Sequence, residues 1–221
     1  MKKIGLFLII ILAIQCTERP GNNHLLIIGD SNGAAKDGWV TELMKLRAYD
    51  LFLNLSIAGN TIGFDNLDKD TLNTKKNIAS YLERGKDSLE RVDKILIWLG
   101  TNDCKTVFKD NQDVVINNLD TILSIIDAYP FKKKPRVYLI APTPFAPDSL
   151  LSEKYHGGEE RLSRLIPQMA ETAQRRDVPF LNLHDSILAE YPQMHKDGVH
   201  LNEYGAAKAA KIINTFIHEN K

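Results

Sequence analysis

Four short motifs in this chain carry residue types that together are suited to acyl transfer. They supply Ser31, Gly59, Asn102 and the pair Asp197 and His200. Acyl transfer by a serine needs a nucleophile, a base with an orienting carboxylate, and donors that stabilise an oxyanion. The four motifs supply each of these groups, so they predict hydrolysis of an ester through an acyl-enzyme.

Each residue also has a purely structural interpretation. Ser31 is a suitable helix cap, while Gly59 and Asn102 are common turn residues. Asp197 precedes a glycine, as in many turns. The functional interpretation therefore rests on the complementary roles of the four motifs and not on any one of them.

The base must be chosen among six histidines: His24, His156, His184, His195, His200 and His218. We favour His200, because Asp197 stands three residues earlier and can orient one ring nitrogen while the other faces Ser31. His184, which follows the last predicted strand, and His195 are the credible rivals. The other three fall in an N-terminal tether, a glycine-flanked loop and the final helical turn.

Five short apolar runs alternate with segments of helical spacing. The predicted strands are 25–28, 51–57, 95–99, 137–141 and 179–183. The predicted helices are 39–47, 114–126, 161–176 and 202–217, and 65–92 reads as a loop followed by a helix. This alternation predicts an α/β fold whose parallel sheet is covered on both faces.

The predicted sheet also locates the site. Ser31, Gly59 and Asn102 follow the first, second and third predicted strands. Because ligands of open α/β sheets bind beyond the carboxyl ends of the strands, we expect the three residues at one end of the sheet. The proline-rich stretch 142–147 is predicted to form a loop beside them.

Composition limits the class of protein. The chain has 221 residues, of which 43% are hydrophobic and 25% charged, as expected for one globular domain. Lys+Arg and Asp+Glu both number 28. The zero formal charge gives no reason to expect nucleic acid or an anionic surface as a partner.

The N-terminus is typical of a bacterial lipoprotein. Lys2 and Lys3 precede an apolar stretch, 4–14, that is too short for a membrane span of about 20 residues. Residues 12–16 resemble a lipobox, although Gln15 replaces the usual small residue. We predict a signal peptide (1–15), a polar tether (16–23) that begins at lipidated Cys16, and a folded domain (24–221). The alternative is an ordinary secretory leader followed by a chance cysteine.

This organisation predicts a location in the bacterial cell envelope, with the membrane contacted only through Cys16. Cys104 is then the one cysteine of the folded domain, so no disulfide is expected. A thiol nucleophile is conceivable, but we expect Cys104 to be a small buried hydrophobic residue.

The four motifs, in this order, resemble those of the SGNH hydrolases, also called GDSL esterases and lipases. The resemblance covers nearly the whole folded domain. Asn32 departs from it, because the motif that names the family has Leu there. The resemblance implies a flavodoxin-like three-layer α/β/α sandwich with a five-stranded parallel sheet.

The resemblance also implies roles. Ser31 would be the nucleophile, His200 the base and Asp197 its orienting group. The backbone N–H groups of Ser31 and Gly59 and the side chain of Asn102 would form the oxyanion hole. No metal or other cofactor is implied.

Residues 99–108, 141–147 and 157–159 are similar to the arylesterase and acetyl-transferring branch of that family. This similarity implies a preference for short acyl groups and a small-molecule or glycan ester as substrate. Deacetylation of carbohydrate is one role that it implies, and a homo-oligomer is one assembly. Two alternatives stay open. One is a lysophospholipase or thioesterase, and the other is a non-catalytic, glycan-binding surface lipoprotein.

Overall fold

A five-stranded parallel sheet forms the centre of the computed structural model, which describes residues 22–221. The strands are β1 (His24–Gly29), β2 (Leu51–Asn54), β3 (Lys94–Trp98), β4 (Arg136–Ile140) and β5 (Phe180–Leu181). They lie in the order β2-β1-β3-β4-β5, which is the flavodoxin-like order. The predicted α/β class and five-stranded parallel sheet are confirmed.

Helices cover both faces of the sheet. They are α1 (Ser31–Ala34), α2 (Trp39–Leu46), α3 (Thr74–Leu89), α4 (Val115–Ala128), α5 (Gly158–Arg175), α6 (Leu183–Ile187) and α7 (Glu203–Glu219). Helices α3, α4 and α5 contribute to the core on one face, and α2, α6 and α7 to the core on the other. Alternate side chains of β1 enter the two cores, since Leu26 belongs to the first and Ile27 to the second. This explains why the inner strands read as continuous apolar runs.

Two strand predictions need correction. The run 51–57 was expected to be a doubly covered strand, but β2 ends at Asn54 and is an edge strand with Leu51 half exposed. The run 179–183 gives a strand of only two residues. Asn182 ends it by capping α6, because its side chain accepts a hydrogen bond from the Asp185 N–H.

The start of the fold also differs from the expectation for His24. Among the candidate bases it was grouped with the tether, although the predicted folded domain begins at residue 24. The structure shows that it is buried and begins β1. Just before it, the Asn23 N–H donates to the Asp50 carboxylate. The leader, the lipobox and Cys16 lie outside the described residues.

Cys104 is fully buried, as expected, and burial raises the pKa of its thiol. It is a free cysteine, and no disulfide occurs within residues 22–221. The same part of the chain contains no helix that is both long and apolar enough to cross a membrane.

Candidate active site

Ser31 lies in the tight turn from β1 into α1. Asp30 caps this helix, because its side chain accepts a hydrogen bond from the Asn32 N–H at 2.9 Å. Ser31 is therefore the first helical residue and not the cap that its structural interpretation suggested. Its own N–H has no acceptor among the described residues, as is usual in a first helical turn.

Asp197 and His200 lie on the turn that leads into α7. One Asp197 carboxylate oxygen accepts hydrogen bonds from the N–H groups of Val199, at 3.1 Å, and His200, at 2.8 Å. The other lies 2.7 Å from His200 Nδ1, and His200 Nε2 lies 3.0 Å from Ser31 Oγ. The structure thus brings the predicted nucleophile, base and orienting carboxylate into one hydrogen-bonded chain.

The environment of Asp197 keeps it ionised. Partial burial acts to raise its pKa, but the hydrogen bonds from the His200 N–H, the His200 ring and the Val199 N–H outweigh burial and lower it. An ionised Asp197 holds the Nδ1–H tautomer of His200, which leaves Nε2 free to accept the Ser31 proton.

Gly59 lies in the turn after β2, with a φ of +88° that favours glycine. Its N–H has no acceptor within the described part of the chain. Its carbonyl accepts a hydrogen bond from Asn66 Nδ2 at 2.6 Å. Gly59 thus presents a free backbone donor in a turn that a neighbouring side chain holds in place.

Asn102 is buried in the turn that follows β3. Its amide nitrogen donates to the Asn60 carbonyl at 3.0 Å, and Asn60 in turn donates to the Gly29 carbonyl at 3.2 Å. One amide N–H of Asn102 remains for a substrate oxygen. These bonds join the Asn102 and Gly59 loops to the end of β1, two residues before Ser31.

Sequence reasoning missed two residues that support this arrangement. Both oxygens of buried Asp103 accept from the Ile62 N–H, at 3.0 and 2.9 Å, and burial raises the pKa of Asp103 to about 7. Buried Lys105 donates to Asn66 Oδ1 at 3.2 Å. Both residues belong to the same motif as Asn102, which was the available signal, but the sequence does not show how far each side chain reaches.

His184 lies in a separate cluster. Its Nε2 lies 2.7 Å from a Glu159 carboxylate oxygen and its Nδ1 lies 2.8 Å from an Asp185 oxygen, so neither ring nitrogen is left for Ser31. Burial acts to lower the pKa of His184, but the two carboxylates raise it overall.

The remaining histidines also lie in other contacts. His195 Nδ1 accepts from the Gly198 N–H at 3.0 Å. His24 is buried in β1, His156 contacts the Leu151 carbonyl and His218 is exposed on α7. Of the six, the structure brings only His200 to Ser31. Between residues 22 and 221 no group of three or more His, Cys, Asp or Glu side chains could hold a metal ion.

Comparison with known proteins identifies relatives of this arrangement. The model of the GDSL-like lipase/acylhydrolase family matches residues 19–208. An acetylxylan esterase from Xylanibacter ruminicola is 31% identical over an alignment of 146 residues, which covers 58% of this chain and 29% of that protein. The chain thus matches less than a third of the length of this curated relative.

Solved structures share the fold. A carbohydrate acetylesterase from Sinorhizobium meliloti superposes with a TM-score of 0.74 at 20% identity, covering 90% of this chain and 99% of that one. An aryl esterase from M. smegmatis superposes with a TM-score of 0.71 at 19% identity, covering 90% and 100%. At these identities the likeness establishes the three-layer α/β fold.

Proposed function

Because the chain belongs to the GDSL-like lipase/acylhydrolase family and is therefore a carboxylic ester hydrolase, we propose that it removes short acyl groups, above all acetyl, from carbohydrate esters. The proposed mechanism proceeds through an acyl-enzyme on Ser31. The observation that carries it is the 3.0 Å contact between Ser31 Oγ and His200 Nε2, with Asp197 on the opposite ring nitrogen.

In the first half of the reaction, Ser31 Oγ attacks the acyl carbon while His200 Nε2 takes the hydroxyl proton. Asp197 stabilises the imidazolium that forms, and His200 then gives the proton to the departing alcohol oxygen. In the second half, His200 takes a proton from water, the hydroxide attacks the acyl carbon, and the carboxylic acid leaves as Ser31 recovers its proton.

The negative charge on the carbonyl oxygen would be stabilised by three donors. They are the unpaired N–H groups of Ser31 and Gly59 and the remaining amide N–H of Asn102. The three come from the ends of β1, β2 and β3, where the hydrogen bonds of Asn60 hold their loops together. Donors fixed in this way need little reorganisation when the charge develops.

The names of two similar proteins support an acetylated carbohydrate as substrate. One is the acetylxylan esterase, and the other is the carbohydrate acetylesterase with the same fold.

A second candidate, a lysophospholipase or thioesterase, is favoured by three exposed apolar residues. Leu67, Val107 and Leu150 are 70%, 71% and 61% exposed, on the loops that follow β2, β3 and β4. A long acyl chain would gain about 0.8 kcal/mol for each methylene buried against such residues.

A series of p-nitrophenyl esters separates the two candidates. We expect kcat/KM to be highest for acetate to butyrate and to fall for longer chains. A steady rise through octanoate would favour the second candidate instead. Release of acetate from acetylated xylan, absent with Ser31→Ala, would then test the carbohydrate assignment directly.

A further inference from the structure

Asn32 connects the nucleophile turn to the loop that carries the base. Its side chain is 4% exposed, although it follows the partly exposed Ser31 directly. Asn32 Oδ1 accepts from the Leu201 N–H at 2.9 Å, and Asn32 Nδ2 donates to the Val199 carbonyl at 3.3 Å. The two bonded residues are the chain neighbours of His200 on either side.

These two bonds are a large part of what joins the two segments. Within the described part of the chain, residues 30–34 and 197–201 share only three hydrogen bonds. Two are those of Asn32, and the third is the contact between Ser31 and His200 itself. The two segments are more than 160 residues apart in the chain, and neither contains a strand of the sheet, so no strand pairing sets their spacing.

The two contacts require a side chain that both donates and accepts. An amide has both groups on one plane, and its partners here fix which end is oxygen, since a carbonyl cannot donate and an N–H cannot accept. Leucine, the residue in the motif that names the family, would fill similar space but leave a buried carbonyl and a buried N–H unpaired. The loop that carries His200 (197–201) would relieve that cost by moving away from Asn32's position.

We propose that Asn32 is a positioning residue that holds His200 at hydrogen-bonding distance from Ser31. This inference rests on the proposed function, because it assigns Ser31 and His200 their roles. Asn32 acts through the backbone on both sides of His200, so its loss should slow proton transfer and leave substrate affinity unchanged.

The test is ester kinetics on Asn32→Leu, with Asn182→Leu as the matched control. Asn182 also makes two side-chain hydrogen bonds, both to Asp185 in the first turn of α6. We expect Asn32→Leu to lower kcat by about 10- to 100-fold, because small misplacements of reacting groups cost this much. KM should stay within about twofold. Asn182→Leu should retain the kcat of the wild type.

A folded Asn32→Leu protein whose kcat matches that of Asn182→Leu would overturn the proposal. If Asn32→Leu does not fold, the kcat of Asn32→Asp is compared with that of Asn182→Leu instead, and equal values would overturn the proposal. That variant keeps the acceptor for Leu201 but replaces the donor to Val199 with an oxygen that repels the Val199 carbonyl, so a fall in kcat is again expected. Each protein is measured over a series of pH values, and the kcat values are compared at their maxima, so that a shifted pH profile is not taken for a loss of kcat.

Hydrogen exchange at the Leu201 amide supplies a readout that needs no activity. It should be faster in Asn32→Leu than in the wild type, and equal rates would overturn the proposal. If the wild type hydrolyses no ester in the series, the proposed function fails, and the exchange measurement still decides whether Asn32 fixes the loop.

Discussion

The direction of the hydrogen bonds around His200 determines what each side chain contributes. Asp197 accepts from one ring nitrogen, so the other is left with its lone pair facing Ser31. In the proposed mechanism, the nucleophile and the base are useful only together, because an unactivated hydroxyl is a weak nucleophile. The proposed oxyanion donors would act on a different atom, so their contribution is separable.

We therefore predict strongly non-additive losses in the Ser31 and His200 variants. Ser31→Ala and His200→Ala should each lower kcat by at least about 10⁴-fold, and the double variant should be little worse. The measurement is p-nitrophenyl acetate kinetics on proteins whose folding is checked by circular dichroism. His184→Ala is the control and should keep most of its activity. A folded Ser31→Ala protein that stays active would end the serine mechanism.

A smaller loss is predicted for the side-chain oxyanion donor. Asn102→Ala should lower kcat by roughly 10²–10³-fold, the usual loss for one such donor. Ser31 should stay reactive in this variant, so an organophosphate should still label Ser31 in Asn102→Ala, at a reduced rate. An Asn102→Ala protein with the kcat of the wild type would remove Asn102 from the oxyanion hole.

The roles proposed for Ser31, Asn102 and the pair Asp197 and His200 come from residue type, local spacing and strand ends in the sequence. The structure brings Ser31, Asp197 and His200 together, and their roles stay predictions. The sequence did not predict the contacts of Asn32, because these depend on a partner 167 residues away in the chain. Asn32 had appeared only as a departure from a motif.

At the level of elements, three segments are joined by one charged cluster. Glu159 on α5 pairs with His184 on α6, and the same carboxylate accepts from the Phe145 N–H at 2.8 Å. The N–H of the next residue, Ala146, donates to the carbonyl of Gly198 at 2.9 Å, and Gly198 lies in the loop that carries His200 (197–201). The cluster thus braces the loop after β4, which in turn contacts the turn between Asp197 and His200.

This cluster should make stability depend on pH. The carboxylates raise the pKa of His184 above its ordinary 6.5. The stabilisation that protonated His184 provides is therefore complete below about pH 6.5 and is lost as pH rises through the pKa of His184 in the folded protein. Burial acts to raise the pKa of Glu159, but the bonds from His184 and the Phe145 N–H lower it below 4.5. The stabilisation that ionised Glu159 provides is therefore present above about pH 4.5 and is lost as pH falls through the pKa of Glu159 in the folded protein.

We predict that replacing His184 with Gln costs most stability between about pH 4.5 and 6.5 and progressively less at higher pH. Urea unfolding of the wild type and His184→Gln at a series of pH values measures the difference. His218→Gln, on an exposed residue of α7, controls for the loss of a histidine. A difference for His184→Gln that stays constant from pH 5 to pH 9 would contradict the assignment.

Helices were predicted from the sequence more accurately than strand ends. The apolar spacing of 114–126 corresponds to α4 (Val115–Ala128), because buried residues such as Leu119, Ile122 and Ile126 recur on one helical face. The ends of β2 and β5 were wrong because strand length depends on the neighbouring strand. An apolar residue at a sheet edge reads the same in sequence as one in the middle.

For the whole molecule, alternation of strands and helices was enough to predict the parallel sheet and that Ser31, Gly59 and Asn102 follow its first three strands. The sequence did not predict which loops brace one another there, since those contacts involve side chains from distant parts of the chain. Asp103, which bonds the Ile62 N–H across 41 residues, is an example.

Membrane attachment is also a property of the whole molecule, and we propose that it depends on Cys16. The proposal is supported by the basic start at Lys2 and Lys3, the short apolar stretch 4–14 and the lipobox-like residues 12–16.

We predict that the wild-type protein, expressed in a bacterial host that processes lipoproteins, incorporates radiolabelled palmitate and partitions into detergent. Cys16→Ser should carry no label and remain in the aqueous phase, because the hydrophobic anchor is lost. One acyl chain binds membranes only weakly and reversibly, so firm retention requires more than one chain on Cys16. Cys104→Ser is the matched control, since that thiol is buried in the fold and should not affect labelling. Palmitate label that persists in Cys16→Ser would contradict the prediction. A wild-type protein that is cleaved elsewhere and carries no label would favour the alternative of an ordinary secretory leader.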